Sequence, residues 1–146
     1  DSEFIKGMYD AGAKPYFDSA ALHPYTPNTS ETRKLMDRFR AVMVKFRDAS
    51  TPLNVTEVGW GSGRGGFLDM GSLAAQAKQL TSAYNYFVGN WRRLNLRSVY
   101  WFAWKDKPRS EESCNFCYTT GLFKAGAGLK AKPAWGRLTQ KAGGRP

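Results

Sequence analysis

Leu53-Asn54-Val55-Thr56-Glu57-Val58, set between Pro52 and Gly59, is the stretch whose reading decides the fold. Pro52 resets the chain, and the run that follows, closed by Gly59, reads as a strand. Upstream, from Glu31 to Asp48, Leu35, Met36, Phe39, Val42, Met43 and Phe46 fall at helical spacing. Arg33, Lys34, Arg38, Arg40 and Lys45 lie on the other side, so this is an amphipathic helix with one buried face. Pro27, Asn28 and Ser30 signal the turn before it. Downstream, a glycine-rich loop from Gly59 to Gly71 leads into Leu73, Ala77, Leu80, Tyr84, Phe87, Trp91 and Leu94, whose spacing marks a second long helix.

The same pattern extends to both ends. Residues 4 to 12 read as a helix that breaks near Gly12 and Pro15, and Phe17 to Pro24 reads as a short strand. Arg97 to Trp104 is apolar at almost every position, as expected of a strand covered on both faces. A long loop carrying the cysteines follows, and Lys132-Pro133-Ala134-Trp135 opens a terminal helix, with Pro suited to the first turn. Strands alternating with helices demand an α/β fold in which parallel strands are joined by helical crossovers. Three strands are few for such a sheet, and all three read as central strands with no protected edge. The sequence therefore predicts that residues 1–146 form one partial unit, completed by strands upstream or by copies of itself.

With 146 residues, 42% of them apolar and 14% aromatic, the chain is long enough to bury a core. Its net charge of +10 draws it toward polyanions at low salt, which a solvated basic surface also explains. No apolar run approaches the about 18 residues that cross a bilayer, so no membrane span is predicted. The opening Asp1-Ser2-Glu3-Phe4 has no signal-peptide character, which leaves open a targeting segment upstream. Both cysteines sit in Cys114-Asn115-Phe116-Cys117, within a polar stretch where no helix follows until Lys132. That context disfavours a redox motif, which needs its first thiol at a helix N-terminus. A zinc site would need further ligands, and the single His23 is distant, so no metal or other cofactor is predicted. A local disulfide between Cys114 and Cys117 fits best and favours an oxidising, extracytoplasmic compartment.

In parallel α/β folds the active site lies at the carboxyl ends of the strands. Those ends deliver His23 and Tyr25, then Glu57, then Trp104 and Asp106. A carboxylate ringed by an imidazole, a phenol and indoles has the chemistry of a sugar site, because aromatic faces stack on sugar C–H faces and a carboxylate can attack an oxocarbenium-like centre. Glu57 is the sole acid between Asp48 and Asp69, in a strand otherwise without charge. A structural carboxylate that caps a loop or pairs with an arginine fits that placement equally well.

The series Ala21-Leu22-His23-Pro24-Tyr25, Thr56-Glu57-Val58-Gly59-Trp60, Tyr100-Trp101-Phe102-Ala103-Trp104-Lys105-Asp106, Gly121-Leu122-Phe123 and Lys132-Pro133-Ala134-Trp135 resembles the clan A glycoside hydrolases, cellulase-like and β-xylosidase-like members above all. The resemblance covers nearly the whole chain and rests on order and spacing. It implies the last three strands of a (β/α)₈ (TIM) barrel, a C-terminal part of such a hydrolase. It implies Glu57 as the nucleophile of a retaining glycosidase acting on β-linked sugars or polysaccharides, with Tyr25 as its hydrogen-bonding phenol. His23, Trp60 and Asp106 would line the substrate site, with Trp104 or Trp101 as the aromatic platform. The family's second carboxylate, a Glu that usually follows Asn, has no counterpart here, since no Asn-Glu pair occurs. Asp69, Asp106, Glu111 and Glu112 are loop acids whose spacing does not make them substitutes. The chain alone is therefore expected to turn over weakly or not at all, because proton transfer to the leaving group contributes about 10²- to 10⁴-fold.

Three other readings compete. Gly61-Ser62-Gly63-Arg64-Gly65-Gly66 fits a dinucleotide-binding fingerprint, but no helix opens on its glycines and no acid follows at about 20 residues. Arg64 in that loop is instead placed to reach a substrate from above. A nucleic-acid-binding module would need its bases interleaved with aromatics on one surface, whereas here they are scattered over helix faces, so no specific nucleic acid is predicted. A non-catalytic, self-associating partial barrel is the third, with open sheet edges buried between copies.

Overall fold

The computed structural model describes residues 2–111, 114 and 116–143. Four helices and three strands alternate: α1 (Ser2–Asp10), β1 (Ala20–Leu22), α2 (Thr29–Lys45), β2 (Leu53–Val58), α3 (Leu73–Leu94), β3 (Leu96–Trp101) and α4 (Pro133–Lys141). The strands form one sheet in the order β1-β2-β3, with both pairings parallel. Each parallel pair is bridged by a helix, as the alternation predicts.

Local chemistry sets the boundaries. Asn28 caps α2 by accepting the Glu31 N–H at 3.0 Å, and Ser72 caps α3 by accepting that of Ala75 at 3.1 Å. Asn95 ends α3 in the left-handed region at φ 48°, where Asn is tolerated, and its side chain donates to Ser50 O at 2.8 Å. Asn95 O also accepts the Leu53 N–H, so this one turn aligns β2 with the start of β3. The core lies between the sheet and α2 and α3: Leu53, Val55 and Val58 meet Met36, Phe39, Met43, Leu80 and Phe87, all buried.

Several expectations are corrected. The first strand is shorter than predicted, because Lys14–Tyr16 form a 3₁₀ turn and Phe17 to Ser19 stay outside the ladder. The third runs from Leu96 to Trp101, and it is not covered on both faces: Leu96 is buried, while Tyr100 is 60% exposed. Its apolar run cannot distinguish a covered face from an open one. Arg40, placed with the polar side of α2, is buried instead and donates to Thr51 O at 2.9 Å and to Ala49 O. Burial lowers its pKa, and the Tyr9 and Asp48 charges oppose that shift. Its guanidinium ties the C-terminal half of α2 to the turn before β2, a use that periodicity cannot reveal.

Candidate functional site

β1 and β2 bring the site together at their carboxyl ends. Along β2 the residues facing the helices would alternate strictly, but the register with β3 advances from Val55↔Val99 to Val58↔Trp101. Three steps on β2 thus match two on β3, a bulge that re-aims side chains. Val55 and Val58 both remain buried, and Glu57 between them is left with a side chain 39% exposed. Past Leu22 the chain carries His23 and Tyr25 beside it. The Tyr25 hydroxyl donates to Glu57 Oε2 at 2.8 Å, and His23 Nδ1 stands 3.5 Å from the same oxygen. No hydrogen bond from the described residues reaches Oε1. Burial, followed by the bond to Glu57, raises the Tyr25 pKa well above its ordinary value, so this phenol stays a donor even where an ordinary tyrosine ionises.

The Tyr25 ring is walled by aromatics. Phe116 lies at 5.4 Å and 62°, and Phe102 at 6.4 Å and 88°, both in edge-on contact. The sequence reading missed both. Phe102 hides in an aromatic run, and Phe116 lies between two cysteines whose pairing was the more visible signal. Gly59 lets this wall form: a Cβ there would overlap the Phe102 carbonyl, and the Phe102 N–H donates to Val58 O at 2.9 Å.

Other expected site residues lie elsewhere. Trp60 was expected to line the sugar site but is fully buried, its indole N–H donating to Thr26 O at 2.7 Å. Trp101 packs 6.0 Å from it and donates to Thr120 O at 2.9 Å, so both indoles serve the core. Trp104 is 54% exposed and rests on Phe123 and Trp135, which leaves it the one of the three with a substantial exposed face. Asp106 is not an open substrate ligand. Its Oδ1 accepts Lys132 Nζ at 2.7 Å and the Gly121 N–H at 2.8 Å.

Lys132 organises this end of the molecule. Its buried ammonium also donates to Thr119 O at 2.8 Å and Ser62 Oγ at 3.1 Å. Burial lowers the Lys132 pKa and raises that of Asp106, while the pairing opposes both shifts. The glycine-rich loop is therefore anchored. Across it the Gly61 N–H donates to Leu68 O and the Met70 N–H to Gly61 O, and Asp69 accepts the Gly66 N–H at 2.9 Å and the Thr119 hydroxyl at 3.2 Å. Arg64, expected above a substrate, is exposed and donates to Gly71 O at 3.1 Å. Gln76 adds a bond from α3 to Trp60 O at 2.8 Å. Cys114 and Cys117 form the expected disulfide, with Cα atoms 5.3 Å apart. Glu112 lies outside the described residues. No group of candidate metal ligands occurs among the described residues, and no described helix is long and apolar enough to cross a membrane.

No family model and no curated protein sequence matches this chain. Solved structures of glycoside hydrolases do match in fold. A GH10 structure from Paenibacillus barcinonensis aligns with 97% of the chain at a TM-score of 0.58 and 18% identity. The CBM22-1–GH10 modules of the Clostridium thermocellum endo-1,4-β-D-xylanase 10B, complexed with xylohexaose, align with 94% at 0.52 and 15% identity. The chain spans 41% of the first and 25% of the second, so it has the fold of part of a (β/α)₈ barrel.

Proposed function

We propose that this chain is the portion of a retaining glycoside hydrolase that carries the nucleophile, Glu57, which attacks the anomeric carbon of β-linked sugars, and that turnover of ordinary substrates needs the acid and base supplied by the rest of a barrel. The observation that carries this reading is the Tyr25 hydroxyl on Glu57 Oε2 at 2.8 Å, at the carboxyl end of a parallel strand. The bond fixes the carboxylate rotamer and leaves Oε1 for attack on the anomeric carbon. His23 borders the adjoining subsite, and Trp104 offers a platform for a second ring. In such a mechanism another carboxyl group, about 5–5.5 Å from Glu57, protonates the leaving group and then activates water. Asp69 and Asp106 are each already bound within the loops, so neither is placed to serve as that acid.

The two free sheet edges favour such completion. A cavity of about 430 Å³ beside β1 is lined by Phe4, Ile5, Met8, Phe17, Leu22 and Phe39. A second, of about 240 Å³ along β3, is lined by Tyr84, Phe87, Trp91, Leu96 and Val99. Missing barrel strands would bury both edges, and so would a second copy of the chain, the self-associating alternative. The disulfide favours an oxidising compartment.

The test uses 2-deoxy-2-fluoro glycosides with dinitrophenolate leaving groups, which depart without protonation and so do not require the missing acid. A panel of such β-glycosides is expected to add one glycosyl mass to the peptide containing Glu57, and none to Glu57→Gln. Equal labelling of Glu57→Gln, or no labelling across the panel, would overturn the assignment.

A further inference from the structure

We propose that Phe116, held by the Cys114–Cys117 disulfide, is a positioning residue for the Tyr25–Glu57 pair, an inference that rests on the role of Glu57 argued above. Tyr25 follows β1 in a stretch without regular secondary structure, so the sheet ladder does not hold its ring. Packing must do so. Phe102, on one side, is fixed through its own backbone bond to Val58. Phe116, the nearer of the two rings, belongs to the loop between β3 and α4 and has no such support from the sheet.

What fixes Phe116 is local. The disulfide closes directly around it, and the Cys117 N–H donates to Cys114 O at 3.3 Å. The Phe116 carbonyl accepts the Thr119 N–H at 3.0 Å and the Thr119 hydroxyl at 3.2 Å. Thr119 in turn joins Asp69 and accepts Lys132, so the ring is anchored to the buried knot beneath it. A disulfide stabilises by closing a loop, and that effect grows with the number of residues enclosed. These cysteines are 3 apart in sequence, the weakest case for a general staple and a suitable one for orienting a single ring.

The readout is the ionisation of Tyr25, followed by NMR of ring-carbon-labelled tyrosine and assigned with Tyr25→Phe. Among the described residues, the charged and titratable groups facing this phenol are Glu57 and His23, and both are retained in every variant. In the wild-type protein the Tyr25 signal is expected to stay that of the neutral phenol at about pH 10, where an ordinary tyrosine is half ionised. Phe116→Ala and the double variant Cys114→Ser, Cys117→Ser are each expected to bring the midpoint back toward about 10. Both should slow fluoroglycoside labelling of Glu57 at least about tenfold, the scale of a misplaced reacting group. Phe116→Tyr, which keeps the ring, is expected to restore both. Tyr9, bonded to Asp48 at 2.7 Å in a separate buried cluster, is the control and should not respond. An unchanged Tyr25 midpoint in both variants overturns the proposal, as does a parallel shift of Tyr9, which would make the disulfide a general staple. If Tyr25 responds but Glu57 never takes a label in the wild-type protein, the clamp stands and the nucleophile assignment falls.

Discussion

Lys132 shows how much a single side chain can decide without announcing itself. In the sequence it is only the residue before the proline that opens the terminal helix. In the structure its side chain is 1% exposed and its ammonium meets Asp106, Thr119 and Ser62. Breaking a buried pair by removing one partner strands the other charge, a loss of about 3–5 kcal/mol. Lys132→Met is therefore expected to lower stability by that amount in a denaturant titration. The double variant Lys132→Met, Asp106→Leu should recover most of it, because no buried charge is then left alone. Recovery by less than a third would mean that the bonds to Thr119 and Ser62, rather than the charge pair, dominate. Glu57 is the opposite case. Its isolation in an uncharged strand was visible at once, whereas the hydroxyl that fixes it lies 32 residues away and is brought to it by the pairing of β1 with β2.

At the scale of elements, the helices were legible because amphipathic spacing is a property of the chain itself. The spacing from Leu73 to Leu94 matches the observed limits of α3, and Ser72 supplies the N-terminal signal. Ser72→Ala is expected to cost about 1 kcal/mol through loss of the bond to the Ala75 N–H, measurable as a lower denaturant midpoint with an unchanged slope. Ser72→Asp should retain most of the stability. The strands were less legible. β1 spans only Ala20–Leu22, and the bulge in β2 arises from pairing with β3, so no window of sequence within either strand contains it. The fate of the indoles follows from that geometry. Trp60 reads as a site residue from its place after Glu57, but the direction of the chain beyond the bulge sends it into the core.

For the molecule as a whole, the phenols set an alkaline limit. Burial first, and then the Asp37 carboxylate, push the Tyr86 pKa up to about 12; Tyr9 is raised by burial and its bond to Asp48, and Tyr84 by burial. A tyrosine whose folded pKa lies above its unfolded value of about 10 favours the native state fully below that pH, and this contribution is lost as pH rises through the folded value. Stability is therefore expected to be flat across these groups up to about pH 10 and to fall above it, as thermal melting at a series of pH values would show. Tyr84→Phe should weaken that fall at no cost at neutral pH, because its buried hydroxyl has no hydrogen-bond partner among the described residues. By itself the sequence determined the α/β class, the order of the elements, the disulfide and the position of Glu57, because periodicity, turn residues and close cysteine spacing act over a few residues of chain. The tertiary structure alone decided which aromatics face the site, that Lys132 and Arg40 are buried, and that Phe116 stands against Tyr25. Those outcomes depend on contacts between segments distant in sequence, and on a register that only the paired strands possess.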